Sequence, residues 1–429
     1  MSTQLTFVIA GLGGRGMHAY GHYISQHPDE MRISAAADIV PEKMQRAAAA
    51  YNLAPNQCFN SAEELFAREK MADVAVIATQ DKQHYLHAMA ALKKGYHLLL
   101  EKPISPVLSE CIEIRDEALR RGLTVTVCHV LRYSPFFRAI RELIESGAIG
   151  KVCSVDLIEN VQYAHQAHSF VRGNWRNTTE SSPMILAKSC HDMDILHYIL
   201  GVPCRRISSF GSLSWFKKEN SPAGSAPYCA DASECRASCP YDAEKIYVEK
   251  SREILSRGRK ITWPFNVVIE DPTPETLKEA LKTSPYGRCV YHCDNDVVDH
   301  QIVAMSFEGD ITVTFTMTAF TYDGTRRIQV MGALGEISGD LGEGKIFLKK
   351  YGEAVKQVAM PDDSKGGHGG GDSLMMDALN GAVTGGGKGA ITGIVQSVHS
   401  HVMALAAEHS RLNNGIMVDI GDFEKTHGV

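Results

Sequence analysis

The sequence predicts an α/β protein of two domains, the first built on a doubly wound parallel sheet. Three observations lead there. The chain has 429 residues, too long for one average domain and suited to two. An apolar run, LTFVIA at 5–10, leads straight into a glycine cluster, GLGGRG at 11–16. After it, short apolar runs alternate with helix-like segments as far as residue 130.

The first apolar run reads as a strand. Gly11, Gly13 and Gly16 then stand in G-x-G-x-x-G spacing, with Gly14 and Arg15 between them. In such a turn the first glycine permits the tight reversal, the second lets backbone approach a pyrophosphate, and the third allows close helix–strand packing. The N-terminus of the following helix offers unpaired N–H groups to phosphates. The next apolar stretch, ISAAAD, ends in Asp38, 22 residues after Gly16. A carboxylate there can accept hydrogen bonds from a ribose diol and would repel a 2′-phosphate, so NAD is favoured over NADP.

ADVAVIAT (72–79), YHLLLEKP (96–103) and LTVTVCHV (123–130) read as further strands, with helices from about 82 to 94 and from about 106 to 121 between them. The loops after the strands line the cofactor crevice of such a sheet. Two of them carry polar residues: Thr79 to His84, and Glu101-Lys102-Pro103. The cofactor set is therefore Gly11, Gly13, Gly14, Arg15, Gly16, Asp38, Thr79, His84, Glu101 and Lys102.

Beyond residue 130, 183-PMILAKSCHDMDILHYILG-201 begins unlike a core-packing helix. Lys188, His191 and Asp194 are spaced three apart and share one face. A histidine suits proton transfer near neutral pH, and a nearby cation steadies developing alkoxide character. Asp194 either orients the ring or caps local N–H groups. Arg132 and Tyr133 follow the strand at 123–130 and are expected to face the cleft. The segment 162-QYAHQAHSFVRGNWRN-177 is dense in His, Arg, Trp and Asn. It is either a ligand-binding wall through His165, His168, Trp175 and Arg176, or a polar surface loop. The loop 366-GGHGGGD-372 brings His368 or Asp372 to the site, or simply connects to the last helices.

These motifs together resemble the Gfo/Idh/MocA oxidoreductases: GLGGRG, IATQDKQH, EKPIS, HVLRYSPFFRAIRELIESGAIGKV and KSCHDMDILHYILG. The resemblance runs to about residue 202. It returns in VVDHQIVAMSFEGDITVTFTMTAFT and RRIQVMGALGEISGD. It implies a Rossmann domain, 1–130, and an α/β domain, 131–429, with a large, mostly antiparallel sheet. That sheet implies a homodimer or homotetramer. The resemblance also implies NAD-dependent oxidation of a secondary alcohol of a sugar, glycoside or polyol. Lys102 would lie beside the nicotinamide and the reacting hydroxyl, and His191 would act as acid/base. The chain departs from the pattern in two places. Ala187 stands where many members carry an aspartate, and Ser181-Ser182-Pro183 replaces a glycine run. Lys188 is the residue placed to take over part of that role. Some relatives oxidise, eliminate, hydrate and re-reduce instead, cleaving a glycoside with no net redox change. That is the alternative reading.

Cys229, Cys235 and Cys239 fall within 11 residues of an insert spanning about 215–293, and Cys289 and Cys293 close it; the chain has 11 cysteines in all. In a reducing compartment such a group reads either as a structural zinc site, with an iron–sulfur cluster as another option, or as unligated thiols. Hydrophobic residues are 44% and charged residues 22% of the chain, and the formal net charge is −6. Without a lysine or arginine block a nucleic-acid partner is not expected. The N-terminus lacks a basic leader and no apolar run reaches membrane-span length, so the expected location is the cytoplasm and no membrane partner is expected. The small-molecule partner expected is a carbohydrate. In the C-terminal stretch, Ile394, Val398, Met403 and Ala406 have the spacing of a packed helix.

Overall fold

The computed structural model describes residues 4–360, 370–385 and 391–428. The N-terminal sheet contains β1 (Leu5–Ala10), β2 (Met31–Ala37), β3 (Cys58–Phe59), β4 (Val74–Ile77), β5 (His97–Leu100) and β6 (Val125–Val127). They pair in the order β3-β2-β1-β4-β5-β6, all parallel. This is the doubly wound order whose direction reverses between β1 and β4, which opens a crevice at the strands' carboxyl ends. Alternate residues of β1 feed two cores. Val8 and Ala10 pack on one side, Phe7 and Ile9 on the other, all fully buried. A strand buried on both faces reads as a continuous apolar run, which is what residues 5–10 show.

One face of this sheet is completed from the far end of the chain. Helix Gly371–Thr384 places Met375, Met376 and Leu379 in the same cluster as Phe7, Ile9, Tyr20, Val76 and Leu99. The division expected at residue 130 is therefore crossed: the sheet's second face is covered by residues 371–384. Just beyond, Val127 donates its N–H to Thr392 O at 2.9 Å.

The second sheet comprises β7 (Val152–Asn160), β8 (Cys204–Ser212), β9 (His300–Phe307), β10 (Ile311–Thr318), β11 (Thr325–Gly332), β12 (Gly335–Asp340), β13 (Lys345–Lys350), β14 (Lys356–Gln357) and β15 (Val418–Asp419). Among the described residues it runs β14-β13-β12-β11-β7-β10-β9-β8-β15. Only β7 and β10 pair in parallel there; the other pairs are antiparallel. Period-two alternation sorts its residues. Val313, Phe315 and Met317 turn inward, beneath helices Cys190–Leu200 and Ile394–Leu412. Ile394, Val398, Met403 and Ala406 are all buried, as their spacing predicted. The opposite face exposes Ile158, Phe210 and Ile302.

The insert has its own core. Phe216, Tyr241, Tyr247, Phe265, Leu277, Tyr286 and Tyr291 pack together with Ala167 and Val171 of the preceding domain. Trp263 lies on this insert, between helices Lys250–Ser256 and Phe265–Val268.

Candidate functional site

The glycine turn has the shape its spacing requires. Gly11 adopts φ +93, and a Cβ there would meet Ala78 O at 2.4 Å. A Cβ on Gly16 would fall 1.9 Å from Gly11 O, whereas Gly13 and Gly14 face open space. The loop thus excludes side chains where protein packs against it and leaves room where a pyrophosphate would lie. The helical segment Gly14–Gly21 begins directly at that opening. Asp38 lies at the end of β2. Its Oδ2 accepts Leu12 N–H at 2.6 Å and its Oδ1 accepts Val40 N–H at 2.9 Å, so it braces the glycine loop from the ribose side. These residues fit a bound dinucleotide.

Other residues expected at the cofactor also brace the crevice. Arg15 donates Nε to Glu101 Oε1 at 2.7 Å, and Nη2 to Tyr20 Oη at 2.6 Å and to Asp372 Oδ1 at 2.7 Å. Its guanidinium is spent on protein. Burial alone would raise the Glu101 carboxyl, but Arg15 and Lys102 bring it below its ordinary value. The two ring nitrogens of His84 lie 2.7 Å from Pro103 O and 3.1 Å from Thr79 O, so this buried imidazole sits between the two crevice loops. Thr79 Oγ1 meets His87 Nδ1 at 3.0 Å.

Lys102 is half-buried directly after β5, and its Nζ donates to Ala187 O at 2.9 Å. It therefore reaches from the cofactor crevice to the turn that starts the His191 helix. His191 is 6% exposed, with its ring centroid 5.9 Å from that of His129. Lys188 Nζ lies 2.9 Å from Glu159 Oε1 of β7. Glu159 Oε2 lies 2.8 Å from Arg326 Nη2 of β11, and Arg326 Nε lies 2.7 Å from Asp192 Oδ1. This chain of four charges was not foreseen. Glu159 and Arg326 sit in strands of the second sheet, β7 and β11, far apart in sequence, and only Asp192's place beside His191 hinted at a role. It corrects the expected free cation at 188, which is compensated by Glu159.

Arg132 and Asp194 do not face substrate. They form a buried two-pronged pair at 2.7 and 2.6 Å, and Arg132 also donates to Ile391 O. Burial acts to raise the Asp194 carboxyl, but Arg132 and His129 bring it below the usual carboxylate range. Tyr133 is core, its hydroxyl 3.1 Å from Thr392 Oγ1.

In the segment 162–177, His165 is half-buried, its ring 5.9 Å from Phe170 and 4.9 Å from Trp263. Burial first, then Lys188, His168, Lys102 and Arg326, push it well below the ordinary histidine range. His168 is instead buried in the insert, stacked on Tyr286 at 4.6 Å with Nδ1 2.8 Å from Tyr247 Oη. Arg176 pairs with Asp294 and Glu180. Trp175 donates Nε1 to Asp81 Oδ1 at 3.1 Å, and Asp81 Oδ2 also accepts the hydroxyls of Ser181 at 2.9 Å and Ser182 at 2.7 Å. The serines in place of a glycine run thus tie the second domain to the loop after β4.

Among the described residues no group of three or more His, Cys, Asp or Glu is arranged to hold a metal ion. Of the expected ligands, Cys229 lies 3.7 Å from Arg172 Nη2, while Cys235 and Cys239 sit in the turn beyond it, joined by Cys239 N–H to Cys235 O at 2.9 Å. His368 lies outside the described residues; Asp372 reaches Arg15.

Two predictions follow from this geometry. Gly13→Ala meets no protein atom, so its melting temperature should match wild type while NAD affinity falls about tenfold or more, because the methyl occupies pyrophosphate space. Gly16→Ala should lose both stability and binding; calorimetry and thermal unfolding separate the two outcomes. Burial, against the pull of Arg326, raises the Asp192 carboxyl to about 6. That lies above the unfolded value near ~4, so the ionised form opposes folding, fully above pH 6 and less as pH falls toward 4. Asp192→Asn should therefore flatten the change in denaturant stability between pH 7 and pH 4.5.

Comparison with known proteins agrees with this layout. Residues 5–129 match the model of the oxidoreductase family's NAD-binding Rossmann fold, and residues 141–418 that of its C-terminal alpha/beta domain. The putative oxidoreductase YteT of Bacillus subtilis (strain 168) is 24% identical over 329 residues, covering 73% of each chain. The 2,7-anhydro-N-acetylneuraminate hydratase of Escherichia coli (strain K12) is 24% identical over 46% of this chain and 50% of its own. An inositol 2-dehydrogenase/D-chiro-inositol 3-dehydrogenase of Lactiplantibacillus plantarum is 25% identical over 45% of this chain and 51% of its own. The chain thus spans about half the length of these last two. Among solved structures, the WlbA dehydrogenase of Bordetella pertussis, in complex with NADH and UDP-GlcNAcA, superposes with a TM-score of 0.68 at 18% identity, covering 98% of both chains. With both domains matched in order, the chain belongs to the Gfo/Idh/MocA family of NAD-binding oxidoreductases.

Proposed function

We propose that the enzyme oxidises a secondary alcohol of a sugar, glycoside or polyol, using NAD in preference to NADP. The observation that carries this reading is the span of Lys102 from the cofactor crevice to Ala187 O, at the threshold of the His191 helix. When bound, the nicotinamide accepts the hydride. Lys102 donates a hydrogen bond to the reacting hydroxyl oxygen and steadies its developing negative charge. His191 takes the hydroxyl proton. Lys188, held by Glu159, turns its remaining N–H groups to a neighbouring substrate hydroxyl. Asp38 accepts the ribose hydroxyls and disfavours a 2′-phosphate.

The second reading is redox-neutral cleavage of a glycoside, favoured by Lys188 standing in the same cleft as Lys102. The hydratase named among the relatives supports it in kind. A screen of sugars, glycosides and cyclitols with NAD, and NADP in parallel, decides between the two. NADH formed in step with product indicates the dehydrogenase; turnover without net NADH indicates the neutral route. In either case Lys102→Ala and His191→Ala should each lower kcat at least about a hundredfold. Wild-type rates from both variants would overturn the assignment.

We also propose that the protein assembles as a homodimer or homotetramer through the open face of the second sheet, where Ile158, Phe210 and Ile302 are exposed. Sedimentation should show an oligomer that Ile302→Asp dissociates; a monomeric wild type at micromolar concentration would refute this.

A further inference from the structure

We propose that the insert forms one wall of the substrate site, with Trp263 and His165 as an aromatic subsite for the second ring of a glycoside whose first ring reacts beside Lys102. The inference rests on the reading of Lys102 and His191 as the reaction centre.

The insert is bolted to the segment that carries His165. Arg172, fully buried, donates Nε to Arg288 O at 2.7 Å and Nη2 to Tyr241 O at 2.6 Å, both in the insert. His168, one turn after His165, is stacked on Tyr286 and bonded to Tyr247. The position of His165 is thus set by insert residues, and on its other side its ring lies 5.9 Å from Phe170, whose ring lies 6.4 Å from Trp175, the residue that donates to Asp81 of the loop after β4.

Trp263 extends this wall outward. Its ring lies 4.9 Å from His165 and 5.5 Å from His168, nearly perpendicular to both, and 52% of the residue is exposed. Two imidazoles hold the indole, so little side-chain freedom is lost when a ligand covers it. From inside out the order is a buried His191, a half-buried His165 and an exposed Trp263. A ligand that covers Trp263 therefore reaches beyond the ring at Lys102.

The charge around the subsite selects the occupant. Lys188 is compensated by Glu159, and Arg172 is buried against carbonyls. Neither therefore offers a free cation to a phosphate or nucleotide. An aromatic face with a neutral imidazole beside it suits the apolar C–H face and the hydroxyls of an uncharged sugar.

The test is calorimetry on the NAD-loaded enzyme. Cellobiose, maltose, lactose and gentiobiose are compared with the methyl glycosides of glucose and galactose. Trp263→Ala should weaken the preferred disaccharide about tenfold and leave the methyl glycoside within about twofold, with Trp263→Phe intermediate. Thermal unfolding confirms that the variants fold. Equal losses for both ligand types would overturn the subsite. So would no loss at all, or a wild type that binds no disaccharide more tightly than the methyl glycoside. The redox reading is judged separately. Lys102→Ala should abolish NADH formation yet keep the Trp263-dependent difference in affinity, so either idea can fail without the other.

Discussion

One buried carboxylate, Glu101, holds the site together. Its Oε1 accepts Arg15 and Tyr20 from the glycine-loop side, and its Oε2 accepts Lys102 N–H at 3.1 Å. Arg15 in turn binds Asp372 of the helix that closes the sheet's second face. The phosphate loop, the end of β5 and the returning helix are therefore three faces of one ionic knot. An isolated carboxylate in this position would be costly to desolvate. Paired as it is, it makes the loop geometry and the direction of Lys102 depend on each other. Removal of one partner from such a buried group typically costs about 3–5 kcal/mol, because the other is left uncompensated.

A second set of bonds closes the cleft from the other side. Asp81, after β4, gathers Trp175, Ser181 and Ser182, and Lys102 reaches Ala187. Both contacts join the cofactor crevice to the turn before the His191 helix. The distance between the cofactor crevice and the His191 helix is thereby set by short polar contacts, which are directional, and less by apolar packing, which is not.

What was legible in the sequence follows from how local each signal is. The strand, the glycine turn, Asp38 and the alternation to residue 130 are encoded within about 30 residues each, and all appear as expected. The second sheet was expected from the family resemblance, and it is present. The roles of Arg132, Asp194, His168 and Arg176 were not legible, because spacing shows that a side chain can face a cleft but not which partner has already claimed it. Each is consumed by a residue 62 or more positions away or by the insert: Asp194 by Arg132, His168 by Tyr247, Arg176 by Asp294. Glu159 and Arg326 were hidden for the converse reason. A single charge in a strand segment carries no sign of its partner until the neighbouring strand is known.

The same logic bears on Lys188. As a lone cation it would draw an anionic substrate. Joined to Glu159, Arg326 and Asp192, it belongs to a set of two cations and two anions that pair in line across β7, β11 and the His191 helix. The field of such a set falls off quickly, because each charge is compensated at hydrogen-bond distance. Its directional donors remain. In the reaction proposed above, Lys102, which reaches a backbone carbonyl, is thus the lysine that responds to charge forming on a substrate oxygen, while Lys188 contributes position. The neutral polyhydroxy substrate proposed above would meet that arrangement at low cost: it brings no charge to be compensated, and it has hydroxyls for both ammonium groups.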